Sequence, residues 1–552
     1  MSPSPKVVVQ TFDNYAKSQL TFVQNIAELA AKPAYIECLY ESHVVKIVMP
    51  LVININPTVR MNAVLCLVRL AGNSEPCARQ IVCSKNLLSR LLGQLVKENK
   101  YYKKNCMNLV KNLSKYSSES TEIVIKECGG IDAILICMKD FDSLVREAAM
   151  QAITCITRLD VKLSQLIVNY GVLPQIVLCL KEQQQSLKLY ALSALDEMAK
   201  NNEDLAIKIV DIPTLPHVII FLTPNFVDKK VQKSALILIK NIVKHSLYLT
   251  ENAIESNLFP EILFLMAHPD ESIRSNSAKV IREVVQHSVQ IAQMVVNSGG
   301  IDKLVNVISC SQELSPIPAV LALGYIAAMS PKLALAIIQS QVLMHLTTIL
   351  KSDTDKLTKA GTVWTLGMIG QHSAEHARYI CSCDAITNIM NVYMDSNLEN
   401  ESRHKCTVAL EQILTNCDDF NVLENLLTPS IPVEIMIIIL DKISKILPKN
   451  SQARRSFITN GYLKMIQNIK PEIHSELFQV IKAVNCCFPE DIIQMVAGDF
   501  PETVMKTVDK YVPQSDCLFF NRQLKSNEHE HIMNKSYAII KTDLSGEETI
   551  YK

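Results

Sequence analysis

Apolar residues recur three and four positions apart along almost the whole chain, as at Val145, Ala149, Ala152 and Ile156. This spacing places them on one face of an α-helix. Strands would instead show apolar and polar residues in alternation, and no stretch of six or more positions does so. The pattern therefore predicts an all-α protein without a β-sheet.

A short phrase returns at regular intervals, for example as Lys244-His-Ser246, Gln286-His-Ser288 and Gln371-His-Ser373. Successive copies are 42 to 44 residues apart, except for a last interval of 33. A constant period of this length indicates one supersecondary unit stacked in one dimension. The third residue of the phrase, here called the marker, stands at Ser74, Ser117, Asp160, Asn202, Ser246, Ser288, Ser330, Ser373, Cys417 and Asn450.

The residue types at the markers predict how each unit begins. Nine of the ten are Ser, Asp or Asn, whose side-chain oxygens cap the free amides of a helix's first turn. Glycines follow about eleven residues later, at Gly171 and at Gly299-Gly300 for example, where a left-handed residue would end that helix. Ser256-Asn257 and Gln341-Val342 replace glycine in two units.

A second helix and then a longer third helix, such as 145–158, follow in each unit. Three helices in about 42 residues is typical of armadillo or HEAT repeats, and the short first helix favours armadillo. We predict a right-handed α-solenoid with an N-terminal helical cap at 1–43, which contains one or two helices over 7–31. About ten armadillo repeats at 44–463 follow, the last one shortened, then a C-terminal helical cap at 464–513 and a tail of uncertain order at 514–552.

Length and charge narrow the class of protein. A chain of 552 residues is too long for a single hydrophobic core. Lys plus Arg and Asp plus Glu both count 55, so net charge offers no attraction to nucleic acid or anionic membrane. No apolar run approaches the 18 residues of a membrane span, and no secretory signal is visible, so we expect an intracellular protein. The 17 cysteines are then expected to be reduced, buried thiols.

Several stretches of the sequence, in register from about residue 6 to 513, carry a resemblance to known proteins: 9–17, 22–30, 101–104, 136–142, 364–378, 451–459, 487–490 and 508–511. They resemble the sperm-associated antigen six family, the armadillo-repeat proteins of the ciliary central apparatus. The resemblance implies a non-enzymatic scaffold on the central-pair microtubules of motile cilia and flagella. Its location would be the cytoplasm and cytoskeleton, and its partners would be other central-apparatus proteins and microtubules, with self-association left open. The extra tail and many Asn, Gln or Lys in place of Ala suggest a divergent member.

In armadillo proteins the third helices line a concave groove, with two positions per repeat facing into it. The resemblance, with the register of the markers, places those positions nine and five residues before each marker. We expect the candidate protein-binding groove to consist of Asn108 and Asn112, Gln151 and Cys155, Ser193 and Glu197, Ile237 and Asn241, Lys279 and Glu283, Leu321 and Tyr325, and Trp364 and Met368.

The composition of this row argues against two known modes of peptide binding. Nuclear import receptors of the same fold present a ladder of Trp and Asn, to which only Trp364 fits here, and Trp364 has packing between helices as an alternative role. Catenin-like proteins present a strongly basic groove, whereas Lys279 is here paired with Glu283. A transport or signalling adaptor that binds extended peptides in the groove remains the alternative function.

Basic residues near helix starts are candidates for contact with the acidic tails of tubulin, although a solvated helix face explains them equally. They are Lys103, Lys104, Lys229, Lys230, Arg454 and Arg455.

We predict no metal, cofactor, small-molecule substrate or catalytic site. His372, His376, Cys381 and Cys383 are of ligand type but would have to converge from opposite ends of one short helix. The stretch Glu528-His-Glu-His531 has no second ligand cluster near it in sequence. Phosphate-binding glycine loops, nucleophile elbows and zinc-protease motifs are missing from the sequence.

Overall fold

A computed structural model describes residues 5–311, 316–352, 354–395, 400–428, 431–469, 471–472, 475–494 and 502–512. These residues form helices and connecting turns and contain no strand, which confirms the all-α prediction. The predicted tail at 514–552 lies outside the described residues. The chain divides into two compact units, Met1–His345 and Leu346–Lys552, and the boundary falls inside helix Val342–Lys351.

The first unit begins with the long helix Pro5–Leu29 and then repeats an order of first, second and third helix. Its first helices are Ile36–Glu41, Glu75–Cys83, Ser118–Glu122, Val161–Asn169, Glu203–Asp211, Leu247–Glu255, Val289–Asn297 and Pro331–Gln339. Its second helices are Val44–Val48, Lys85–Gly93, Gly130–Met138, Leu173–Leu180, Thr214–Ile219, Leu258–Leu265 and Gly300–Cys310. Its third helices are Pro57–Asn73, Lys100–Leu113, Ser143–Leu159, Gln185–Lys200, Lys229–Val243, Glu271–Val285 and Ile317–Met329. Short 3₁₀ or π turns extend some of these helices at Pro33–Tyr35, Met49–Ile53, Leu95–Lys97, Ile123–Glu127 and Ile220–Leu222.

The second unit continues the same order. Its third helices are Lys356–Gly370, Asn400–Asn416, Val433–Ile446 and Glu476–Asn485. Its first helices are Ala374–Ser382, Phe420–Leu426 and Ser451–Thr459, and its second helices are Ala385–Met394 and Tyr462–Gln467. The turn Leu447–Lys449 and the helices Glu490–Gln494 and Glu502–Lys510 complete it.

Two features of the second unit bear on the sequence period. The described residues between Phe420–Leu426 and Val433–Ile446 contain no second helix, which accounts for the interval of 33 residues. Past Asn450 the three-helix order goes on, and helix Glu476–Asn485 packs along Val433–Ile446 as earlier third helices pack along one another. The spacing of the markers does not reveal this continuation.

Within each unit the third helices lie side by side and form the core. Small residues permit this packing: in Ser143–Leu159 the side chains of Ala148, Ala149 and Ala152 are all buried. First and second helices cross steeply, at 87° for Val161–Asn169 and Leu173–Leu180. These relationships are those of armadillo repeats, as the period predicts.

The N-terminal stretch 7–31 is a single helix over most of its length, Pro5–Leu29. It lies against the third helix Pro57–Asn73 and buries Val23 and Ala27 there. Its earlier apolar residues remain in contact with solvent, and Phe12 is 70% exposed. The helix thus covers the end of the first third helix with its C-terminal half.

The prediction that markers cap first helices is confirmed for seven of them. Ser246 and Ser373 hold the capping position, but their side chains accept no hydrogen bond from a described first-turn amide. The prediction is wrong at Cys417, because that helix begins at Phe420 and is capped by Asp419; a thiol is a weak acceptor. The seven capping side chains are those of Ser74, Ser117, Asp160, Asn202, Ser288, Ser330 and Asn450.

In most repeats the turn between first and second helix contains a left-handed residue, as the glycines predict. Gly171 and Gly299 have φ of +77° and +76°. Where glycine is replaced, Asn257 and Gln341 adopt the same conformation, with φ of +71° and +61°. Because a side chain is disfavoured there, the packing of the two helices decides this turn at Gln341.

Candidate protein-binding groove

The fourteen candidate residues lie on the third helices but differ in exposure. In the first unit Asn108, Gln151, Ser193, Ile237 and Lys279 are half-buried. They form a row along successive third helices, each nine residues before its marker. This row is called the outer row below. Asn112, Cys155 and Glu197, which lie five residues before their markers, are also half-buried.

Other members of the set are buried. Leu321 is 1% exposed and Tyr325 is 6% exposed, and both belong to the almost wholly buried helix Ile317–Met329. In the second unit Trp364 is 8% exposed and Met368 1% exposed. Trp364, the only tryptophan of the chain, therefore sits within packed helices.

Candidate residues five residues before a marker join neighbouring repeats. Asn112 Nδ2 donates to the backbone oxygen of Val68 over 2.8 Å, and Cys155 Sγ lies 3.5 Å from the backbone oxygen of Lys111. Asn241 Nδ2 donates to Asp196 Oδ1 over 2.6 Å. Each partner lies on the preceding third helix. These polar groups are thus used to hold the stack together.

The charged members of the set are also paired. Arg158 Nε lies 2.9 Å from Glu197 Oε1, and the buried Glu283 carboxylate accepts from Gln286 Nε2 at 2.6 Å as well as from Arg282. Neutralised in this way, the two carboxylates add little net charge to the groove. Beside them, burial raises the pKa of Asp196 against the opposing donation from Asn241.

The residue immediately before the marker explains why the phrase recurs, and sequence analysis missed it. In several repeats this side chain donates to a backbone oxygen at the C-terminal end of the preceding third helix, or of the N-terminal helix in the case of Asn73, where carbonyl groups lack intrahelical partners. Because a carbonyl oxygen only accepts, the two histidines must carry their proton on Nε2. The recurrence of His, Asn and Tyr before the marker was the available signal. The bonds join Asn73 to Ala30 (3.3 Å), Tyr116 to Gly72 (3.1 Å), His245 to Ala199 (2.7 Å), His287 to Val243 (2.7 Å) and Asn416 to Gln371 (2.7 Å).

A second set of contacts joins the opposite ends of the third helices. The fourth residue of a third helix is often basic and reaches the loop that precedes the next third helix. The pairs are Arg60 with Glu98 at 2.6 Å, Lys103 with Asp140 at 2.7 Å and Arg146 with Glu182 at 2.9 Å. At the same position Lys188 lies over the rings of Phe221 and Phe226, and Arg274 donates to the backbone oxygen of Cys310 over 3.0 Å. Both ends of these helices are therefore tied to the next repeat.

The basic residues that are candidates for contact with tubulin tails differ in their surroundings. Lys103 is paired with Asp140, and Lys229 lies 3.6 Å from Asp270. Arg454 is 4% exposed and donates to the backbone oxygen of Leu447 over 2.7 Å. Lys103 and Arg454 are thus held within the fold, whereas Lys229 and Lys230 are exposed.

The residues of metal-ligand type do not assemble into a site. The His372 and His376 rings lie 5.5 Å apart, and Cys381 faces Cys417, with 3.6 Å between the sulfur atoms. In the part of the chain that the structure describes, no group of three or more His, Cys, Asp or Glu side chains could hold a metal ion. The stretch 528–531 lies outside that part. Over the same residues no single helix is long and apolar enough to cross a membrane, and three bent helix pairs meet the criterion only when joined.

Comparison with known proteins supports both the fold and the resemblance. No family model matches the chain. Sperm-associated antigen 6 of Homo sapiens and of Mus musculus are each 34% identical to it over 169 residues, which is 31% of this chain and 33% of theirs. The chain thus spans about a third of the length of the curated relatives it matches, less than the resemblance over 6–513 suggests. The crystal structure of an engineered protein superposes with a TM-score of 0.64 at 19% identity, over 72% of this chain and 95% of that one, and shows the fold alone.

The three-helix repeats and the homologous segment lead to one conclusion. The helices, their caps and their left-handed turns define the architecture without reference to any relative. The 34% identity shows that the matched segment shares an ancestor with sperm-associated antigen 6. The described residues thus form an α-solenoid of armadillo repeats, and one segment of 169 residues is homologous to sperm-associated antigen 6.

Proposed function

We propose that the protein is a non-enzymatic scaffold of the axonemal central apparatus that supports the motility of cilia or flagella. The observation that carries the proposal is its 34% identity to sperm-associated antigen 6 over 169 residues. Its location would be the cytoskeleton of the axoneme, and its partners would be central-apparatus proteins and the central-pair microtubules.

The contacts between repeats suit a scaffold. Because basic residues tie the beginnings of third helices and His, Asn or Tyr tie their ends, each repeat is held in register with its neighbour. A stack held in this way presents its outer row as a preformed surface, so that binding costs little ordering of the protein. The scaffold role requires such a surface.

Binding is expected to be distributed over the outer row. Each repeat contacts only its neighbours, and the row contains residues of different character, among them Asn108, Ile237 and Lys279. No single alanine substitution in the row should abolish association with the axoneme. One variant that detached the protein while its thermal stability stayed unchanged would contradict this expectation.

The test is tagging in a flagellated cell followed by extraction with detergent and then salt. We expect the tagged protein to stay with the microtubule cytoskeleton after detergent and expect its depletion to paralyse the cells. A diffuse or nuclear signal would count against a central-apparatus scaffold.

The alternative function is a transport or signalling adaptor that binds extended peptides in the groove. The half-buried outer row favours it, whereas the engagement of Asn112 and Asn241 in contacts between repeats weighs against it. An array of short basic and acidic peptides separates the two functions. Tight capture that depends on peptide register would support the adaptor.

A further inference from the structure

One junction in the second unit differs from every other. Cys417 is the marker that is not Ser, Asp or Asn, and the capping role has moved to Asp419. The Cys417 thiol instead lies 3.6 Å from the thiol of Cys381, which belongs to the preceding first helix, Ala374–Ser382. At this junction the marker residue does not cap a helix and instead contacts another cysteine.

Cys381 is itself an exception within the repeat. It stands eight residues after marker Ser373, and in eight other units that position is a branched apolar residue. The two cysteines therefore depart together from what the repeat otherwise uses, at positions that touch in space. Paired departures of this kind indicate a shared role. The equivalent residues are Val82, Ile125, Val168, Val210, Ile254, Val296, Ile338 and Ile458.

The surroundings of the pair allow one thiol to react. Cys417 is 1% exposed, whereas Cys381 is half-buried, so a small oxidant reaches the pair from the side of Cys381. Lys442 lies next to this site, 2.9 Å from Asp418 and 2.8 Å from the backbone oxygen of Thr415. Donation from the Cys381 thiol, against the opposing effect of burial, lowers the pKa of Cys417 below its ordinary value. This donation stabilises the Cys417 thiolate, the reactive form of cysteine, relative to that of an ordinary thiol.

We propose that Cys381 and Cys417 are a modification site, a dithiol that peroxide converts into a reversible disulfide between two consecutive repeats. The Cys417 thiolate attacks one oxygen of hydrogen peroxide, the O–O bond breaks, and a sulfenic acid and hydroxide form. The Cys381 sulfur then attacks the sulfenic sulfur, the S–S bond forms, and the hydroxyl group leaves as water with the Cys381 proton. Two thiols lose two electrons in total, and peroxide is reduced to two waters.

Reduction returns the pair to the state seen here. A thiol such as glutathione attacks the disulfide, forms a mixed disulfide and is displaced by a second thiol, so that two glutathione molecules give up the two electrons. Intracellular disulfides of this kind are usually transient. The free thiols of the described cysteines agree with a reduced resting state.

The disulfide would close a loop over residues 382–416, which includes a second and a third helix. A crosslink over a loop of this length stabilises the folded chain mainly by restricting the unfolded one. We expect oxidation to raise the unfolding temperature of the second unit by several degrees and to leave the helical content unchanged.

The experiment treats the purified, reduced full-length chain with a small excess of hydrogen peroxide. Unreacted thiols are blocked, and peptides are mapped by mass spectrometry without reduction. We expect a crosslinked peptide containing Cys381 and Cys417, lighter by two hydrogens than the two peptides together and lost after dithiothreitol. Cys406, which is fully buried and whose pKa burial raises to about 12, is the internal control and should stay unmodified.

Two variants keep the result interpretable. Cys381→Val and Cys417→Ser each restore the residue type that other repeats carry, so both should fold, and circular dichroism checks this. In each variant the crosslink and the thermal shift on oxidation should vanish. Pairing of Cys381 with Cys383, oxidation of Cys417 beyond sulfenic acid without a crosslink, or no reaction at this pair would overturn the proposal.

Discussion

His287 Nε2 donates a hydrogen bond to the backbone oxygen of Val243 over 2.7 Å, which joins the ends of two neighbouring third helices. His245 makes the same bond to Ala199 one repeat earlier. Such a bond fills one of the open carbonyls at a helix C-terminus. The recurring His-Ser phrase is therefore a joint between repeats as well as the start of a helix.

Removing this joint should weaken the first unit measurably. His287→Ala is expected to lower the free energy of unfolding by about 1 kcal/mol, the usual net worth of such a hydrogen bond. His287→Gln keeps an N–H donor of similar reach and should recover most of the loss. Urea unfolding followed by circular dichroism measures both, and equal losses in the two variants would show that the bond is not the cause.

The ion pair between Arg60 and Glu98, at the N-terminal end of a third helix, should contribute more to stability than this hydrogen bond. The side chains of Arg60 and Glu98 are 17% and 8% exposed, and Arg60 also donates to the backbone oxygen of Asn54. Arg60→Ala leaves the Glu98 carboxylate without this partner in a poorly hydrated site, at an expected cost of about 3 kcal/mol.

Arg79→Ala provides the matched control. Its pair with Glu75 lies within one helix, and the two side chains are 71% and 47% exposed, so the expected loss is about 0.5 kcal/mol or less. The comparison is made by thermal unfolding at low and high salt. Similar losses for Arg60→Ala and Arg79→Ala would rule out a special role for the contact between repeats.

Glycines on helix Lys356–Gly370 allow close packing in the second unit. A Cβ on Gly367 would lie 3.0 Å from Cα of Ala409 on the next third helix, Asn400–Asn416. Gly367→Ala should destabilise the protein by about 1–3 kcal/mol through overpacking, although Ala alone would favour the helix by about 1 kcal/mol.

Gly93→Ala is the control for this substitution. An added Cβ there meets no described atom within 4 Å. This variant should be neutral or slightly stabilised. Denaturant unfolding of the two variants gives opposite signs if helix packing is the cause, and a stabilised Gly367→Ala would contradict it.

The pKa of Asp196 predicts a dependence of stability on pH. Burial raises this pKa in the folded state, so folding favours the protonated form. The stabilisation is complete below the unfolded pKa and is lost as pH rises through the folded pKa. Asp196→Asn keeps an acceptor for Asn241 and should therefore gain stability at pH 7 but little at pH 4.

Asp142→Asn should show the opposite sign. Donation from Lys100 lowers the pKa of Asp142, so its contribution is present above the unfolded pKa and lost as pH falls through the folded pKa. Asparagine still caps helix Ser143–Leu159. Both predictions are tested by measuring the unfolding temperatures of Asp196→Asn and Asp142→Asn between pH 4 and pH 7. If the two variants showed the same dependence of unfolding temperature on pH, the opposite pKa shifts of Asp196 and Asp142 would be refuted.

The sequence by itself determined the all-α class, the armadillo period, most helix caps and the left-handed turns. These features depend on neighbours a few residues apart: Ser117 caps its own helix, and Gly171 needs only its own backbone freedom. Interactions between residues that are close in sequence can therefore be predicted from the sequence alone.

Only the tertiary structure decided which side chains face a partner more than 35 residues away in the sequence. Asn112 and Asn241 read as members of a groove but join repeats, Trp364 is buried, and Cys381 meets Cys417. The spacing of the markers predicts where the first helices begin. Which polar atoms come into contact depends instead on the rotation and tilt of neighbouring third helices. That choice arises from close packing of many side chains at once, and no local pattern encodes it.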